Sequence, residues 1–100
     1  MSVSKLPPIH PGEILCDLYL RPLEMTPYAL AKKLNVPRTR IERIVAQKTG
    51  ITSDTALRLA RFFRTSPEFW MNLQNSFDLK IEAQALKDEL KRIPEYEAAA

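Results

Sequence analysis

The sequence predicts an all-α chain of five helices, on three observations. Glycine is nearly absent: of 100 residues only Gly12 and Gly50 are glycine, while Leu, Ala, Arg, Lys and Glu abound. That balance favours helices and leaves little material for hairpin turns. Apolar residues recur at three- and four-residue spacing in successive blocks. Between the blocks stand helix-start signals, namely Thr26-Pro27, Pro37, Thr52-Ser53-Asp54 and Ser66-Pro67. A chain of this length has room for one core and hardly for two.

Pro7, Pro8 and Pro11 keep an N-terminal arm, residues 1–11, extended, because each proline turns its predecessor away from the helical region. Ile14, Leu15 and Leu18 fall at helical spacing and place a first helix over about 12–20, which Pro22 stops. Thr26 caps the second helix, with Pro27 at its first position. Leu30, Ala31 and Leu34 form its inner face, and Asn35, which tolerates the left-handed conformation, closes it. The third helix starts at Pro37 and runs to about Gln47, before Gly50. Thr52-Ser53-Asp54 caps a fourth, made amphipathic by Ala56, Leu57, Leu59, Ala60 and Phe63. After Ser66-Pro67, Glu68 suits the dipole of a first turn, and the absence of proline until Pro94 allows a fifth helix over about 67–92. Residues 12–79 are expected to form the domain, and 80–100 a helical extension and tail.

Several functions are disfavoured at once. Cys16 is alone, so no intramolecular disulfide and no cysteine-based metal site is expected, which suits a reducing cytoplasm. The longest apolar run falls far short of the ~20 residues a membrane span needs. "MSVSKLPPIHPGE" has no apolar core of a signal peptide. His10 is the only histidine, without the companions a zinc site or a Ser-His-Asp arrangement requires, and is expected to fix the entry to the first helix. No catalytic residue, metal, cofactor or small-molecule ligand is expected.

The net charge of +3 is unevenly distributed. Residues 32–64 hold nine cations (Lys32, Lys33, Arg38, Arg40, Arg43, Lys48, Arg58, Arg61, Arg64) against Glu42 and Asp54 alone. Residues 65–100 hold four cations against seven carboxylates. A basic middle fits an anionic partner, and an acidic tail implies a separate role.

The third helix carries both charge and apolar bulk in "NVPRTRIERIVAQ". At 3.6 residues per turn, Pro37, Ile41, Ile44 and Val45 share one sector, and Thr39, Arg43 and Ala46 lie opposite. Arg38 and Glu42 flank the outer face on one side, Arg40 and Gln47 on the other. Such a wheel is also what a merely solvated face gives. The short helix before it and the tight "LNVP" connector add the geometry of a helix-turn-helix, whose second helix enters the DNA major groove. Small Ala31 sits where the two helices cross most closely.

"LAKKLNVPRTRIERIV" resembles the helix-turn-helix of the XRE (Cro and phage-repressor) superfamily, and so implies a lambda-repressor-like DNA-binding domain. "IHPGEIL", "GITSDTALRLARFF" and "TSPEFWMNLQNSFDL", in that order, resemble the HigA-type antitoxins (VapI-like), over about Ile9 to Leu79. The resemblance implies a cytoplasmic bacterial homodimer that binds double-stranded operator DNA, represses its own operon and neutralises a HigB-like toxin that cleaves mRNA. A stand-alone XRE-family regulator without a toxin is the alternative. Base-reading positions of the superfamily fall on Arg38, Thr39 and Arg43, with Arg40 and Gln47 at the rim. Arginine reads guanine through two hydrogen bonds, and threonine can contact a thymine methyl. Glu42 can accept from cytosine or pair with Arg38 one turn back, and the pairing is the preferred reading. Superfamily members often hold a phosphate with a glutamine at the second helix's start; Pro27 has no N–H to offer there, so Thr26 or Tyr28 is the expected replacement. Lys48 and Thr49 are expected backbone contacts, Lys32 and Lys33 weaker ones.

Phe69, Leu73 and Phe77 form one stripe, for which core packing is the default. Trp70 and Phe77, with Leu86 and Leu90 beyond, are candidates for a dimer or partner interface, where aromatics are enriched. The stripe Leu79, Ala83, Leu86, Leu90 and Ile93 must be buried by folding back, by a second subunit or by the toxin.

Overall fold

The computed structural model describes residues 6–97, so residues 1–5 of the expected arm over 1–11, and the terminal alanines 98–100, lie outside the described residues. Among the described residues helix is the only regular secondary structure. Helix α1 (Pro11–Ile14) continues directly into a π-wound segment (Leu15–Leu20). Then follow α2 (Pro27–Leu34), α3 (Arg38–Val45), α4 (Ser53–Phe63), α5 (Pro67–Ala85) and α6 (Lys87–Arg92). The caps read from the sequence are present: Thr26, Thr52 and Ser66 each accept an N–H from the residue three positions on.

The core is built from Leu15, Leu20, Leu30, Ile41, Ile44, Leu59 and Trp70, all essentially inaccessible. Two inward assignments are corrected. Leu18 is 62% exposed, because the π winding, closed by the Arg21 N–H on the Cys16 carbonyl, brings Leu15 and Leu20 to the core instead. Leu57 is 59% exposed, since α4 turns Ala56, Leu59 and Ala60 inward. Trp70, a candidate interface residue, is corrected too. It has no exposed surface; its indole N–H donates to the Thr65 hydroxyl at 2.8 Å, and its ring lies 5.0 Å from those of Tyr19 and Phe69.

Neither glycine serves a left-handed turn. Those turns are taken by Glu24, Asn35, Gln47 and Arg64, all at positive φ. The glycines allow close approach instead. A Cβ on Gly12 would lie 1.8 Å from the Ile44 carbonyl oxygen, so α1 crosses the back of α3 at backbone contact. A Cβ on Gly50 would meet the Gln74 amide at 2.8–2.9 Å. That buried amide accepts the Ile51 N–H at 2.7 Å and donates to Asp78 at 2.9 Å, pinning the chain beyond α3 to α5.

His10 caps α1, as the sequence suggested: its Nδ1 accepts the Gly12 N–H at 2.9 Å, and its ring stands edge-on to Phe77 at 4.9 Å. Burial holds the imidazole below its usual 6.5, outweighing the hydrogen bond to the Thr49 backbone and the nearby Asp78 charge, which pull the other way. An unfolded chain therefore takes up a proton at a pH where the folded one does not. Stability should be full above about pH 6.5 and fall as pH drops below it. Denaturant midpoints from pH 7.5 to 5.5 check this. His10→Asn keeps a capping oxygen without titrating and should flatten the dependence; equal slopes in both proteins would contradict the assignment.

The fifth helix expected over 67–92 is divided. It ends at Ala85, Leu86 adopts φ −95° and ψ 7°, and α6 restarts at Lys87. No glycine or proline marks the break. Asp88 and Glu89 in the first turn of α6, and Lys91 and Arg92 in its last, suit the dipole of a separate short helix. The end of α5 and α6 project as an arm: the radius of gyration is 17.0 Å, against ~13 Å for an equiaxial domain of this length. Leu79, Leu86, Leu90 and Ile93 remain 42–62% exposed, so the stripe does not fold back on its own domain.

Candidate nucleic-acid interface

Helices α2 and α3 are joined by a turn that the sequence closes in a defined way. Asn35 takes the left-handed conformation (φ 59°), the Asn35 N–H donates to the Lys32 carbonyl, and the Val36 N–H donates to that of Ala31. These paired bonds satisfy the last carbonyls of α2 and reverse the chain within two residues. Ala31 is buried, and Val36 packs on the core. Pro37 then stands outside α3 as its extended N-cap and is exposed, which corrects its expected place on the inner face. Its carbonyl accepts the Arg40 N–H at 3.0 Å, so α3 starts one residue later than expected.

Behind α3, Ile41 and Ile44 are buried and Val45 is half-buried. On its front, Arg38, Thr39 and Arg43 are exposed together. Arg38 and Glu42 form the expected pair at 4.0 Å with both side chains exposed, a contact worth at most ~1 kcal/mol. It holds Arg38 loosely, and a stronger acceptor can displace it. No ion pair among the described residues engages Arg43. Arg40 is different: its guanidinium donates to Asp54 at 2.6 Å.

Asp54 is shared. Arg58, one turn along α4, donates to the same carboxylate oxygen at 2.8 Å and also to the Leu34 carbonyl at 2.8 Å. Arg58, then Arg40, holds the Asp54 carboxyl below its ordinary range. The cluster ties the rim of α3, the end of α2 and the start of α4 into one unit. Sequence reasoning gave Asp54 only a capping role and left Arg58 unassigned, although their i, i+4 spacing was visible.

The chain leaves α3 earlier than expected. Val45 is the last helical residue and Gln47 is left-handed (φ 62°), with the Lys48 N–H returning to the Arg43 carbonyl at 2.9 Å. Gln47 thus lies outside the helix wheel that assigned it to the rim. Lys48 is exposed and Thr49 half-buried. Pro37, Thr39, Arg40, Arg43, Thr49 and Gly50 line one open groove beside α3, bringing four expected contact residues together, Thr39, Arg40, Arg43 and Thr49. Thr26 spends its hydroxyl oxygen on the Ala29 N–H, leaving the hydroxyl proton to donate outward. Tyr28 is 44% exposed beside Lys32, whose Nζ stands 5.4 Å from the ring centre.

A short helix, a two-residue reversal and a second helix anchored behind and basic in front form the geometry that enters a major groove. The family model described as Helix-turn-helix matches residues 18–70. Virulence-associated protein I of Dichelobacter nodosus is 48% identical over 81 residues, covering 81% of this chain and 75% of that protein. Antitoxin HigA-1 of Vibrio cholerae is 31% identical over 91 residues, covering 91% of this chain and 86% of its own. The solved structure of Pseudomonas aeruginosa antitoxin HigA with the higBA promoter matches with a TM-score of 0.87 at 40% identity, covering 92% of this chain and 100% of that one. With the turn, the fold and these similarities in agreement, the chain belongs to the HigA-type antitoxins of the XRE helix-turn-helix superfamily.

Proposed function

We propose that the protein is a homodimeric cytoplasmic antitoxin that binds the operator of its own operon, represses it, and neutralises a HigB-like, mRNA-cleaving toxin encoded beside it. One observation carries the DNA half: Arg38, Thr39 and Arg43 stand exposed along one edge of a helix whose opposite face is locked in the core. Arg38 and Arg43 read base edges and Thr39 contacts a thymine methyl. Thr26, Tyr28, Arg40, Lys48 and Thr49 hold the phosphates. Residues 12–79 are the DNA-binding unit and 80–100 the extension through which partners are met. The likeness to a HigA solved with its promoter supports the same reading.

Co-expression tests the toxin half. The product of a small basic reading frame beside the gene should co-purify with this chain, and growth should fail when that product is made alone. An adjacent product that neither binds nor poisons would identify the protein as a stand-alone regulator.

A further inference from the structure

The ends of α2 and α4 enclose a second basic surface, an open depression of about 800 Å3 lined by Lys33, Leu57, Arg58, Arg61, Phe62 and Arg64. Arg58 is occupied by Asp54 and the Leu34 carbonyl. No ion pair among the described residues engages Lys33, Arg61 or Arg64. Between these cations Leu57 and Phe62 expose 59% and 36% of their surface. The depression therefore presents free positive charge around apolar side chains, and DNA phosphates would satisfy only the charge.

We propose that this depression receives the acidic C-terminal segment Ile93–Glu97 of a second copy of the chain, each copy laying its tail into the other. The inference rests on the homodimer reading and specifies the contact. Beyond Arg92 the described chain has no cation, and Glu95 and Glu97 flank Tyr96. Tyr96 is 91% exposed and Ile93 62%, so the segment offers apolar side chains that its own chain leaves uncovered. Its carboxylates match Lys33, Arg61 and Arg64. Ile93 and Tyr96 match Leu57 and Phe62, and guanidinium groups pack well on a tyrosine ring. Pro94 holds the segment extended, which reduces the ordering it must undergo on docking. The arm of α5 and α6 carries the tail away from the bundle, in a molecule 59 Å long and 23 × 22 Å across. Exchange of two such arms gives a two-fold, self-complementary interface.

Sedimentation equilibrium of the full chain without DNA tests this with two charge reversals, Arg61→Glu with Arg64→Glu, and Glu95→Lys with Glu97→Lys. All four positions are exposed, and unchanged far-ultraviolet circular dichroism spectra at the temperature of the sedimentation run would confirm folding. Each reversed protein alone should dimerise ~10-fold or more weakly, since like charges then face each other. An equimolar mixture should recover the parental dimerisation constant, because each tail then meets a groove of opposite sign. A monomeric parent would overturn both the dimer reading and this contact. A parental dimer insensitive to both reversals, or a mixture that stays weak, would overturn the contact alone. Unchanged mass with lost DNA binding in the Arg61/Arg64 variant would reassign the depression to DNA and also overturn it.

Discussion

Gly12→Ala is expected to lower the melting temperature by roughly 12–24 °C and to weaken DNA binding with it. Alanine is the better helix former by ~1 kcal/mol, so propensity alone predicts a stabilised protein. Contact decides otherwise. The added Cβ would lie 1.8 Å from the Ile44 carbonyl oxygen and 2.7 Å from its carbon. Both are backbone atoms, so no rotamer change relieves the overlap; α1 and α3 must separate. Overpacking costs ~1–3 kcal/mol, and an overlap with backbone atoms places this one at the upper end, ~3 kcal/mol, against a total stability of ~5–15 kcal/mol. Each ~1 kcal/mol corresponds to roughly 4–8 °C in a domain of this size. Ile44 belongs to the helix bearing Arg38 and Arg43, so the displacement also reaches the reading edge. Differential scanning calorimetry checks the first effect; a melting temperature within ~2 °C of the parent would refute the close crossing.

Arg43→Ala is expected to weaken binding to the specific operator roughly 5- to 150-fold, the ~1–3 kcal/mol of a base-reading arginine. Nonspecific binding should stay nearly unchanged. Stability should be unaffected, because Arg43 is exposed and none of the ion pairs among the described residues engages it. Arg38→Ala should behave alike, since its contact with Glu42 at 4.0 Å is loose and solvated. Fluorescence anisotropy on operator and scrambled duplexes separates the outcomes. Equal losses on both duplexes would make these arginines phosphate contacts.

The helix-turn-helix was legible because its rules are local. Thr26-Pro27, Asn35 and the inward spacing of Leu30, Leu34, Ile41 and Ile44 act within one turn of each residue, and the structure keeps them. The misses come from contacts between distant segments or from changes of winding. Leu18 fits an α-helical stripe until the π segment shifts the phase. The close approaches at Gly12 and Gly50 have no local signal, since only the packed structure presents Ile44 and Gln74 to them. Trp70 reads as an interface aromatic because spacing does not reveal how many rings surround a tryptophan; in the fold Tyr19, Phe63 and Phe69 surround it. Gln47 left the wheel because α3 ends at Val45. Of the site, the outward edge was readable from periodicity. The Arg40–Asp54–Arg58 cluster that braces it joins three elements, which no single stretch of sequence displays.

Base reading by α3 is decided by a salt series of binding isotherms, on a duplex carrying the gene's own upstream region and on a scrambled duplex of equal composition. The prediction is a preference of at least ~1,000-fold for the upstream duplex at physiological salt, with the logarithm of affinity falling linearly with that of salt concentration. Equal affinity for the two duplexes across the series would contradict it.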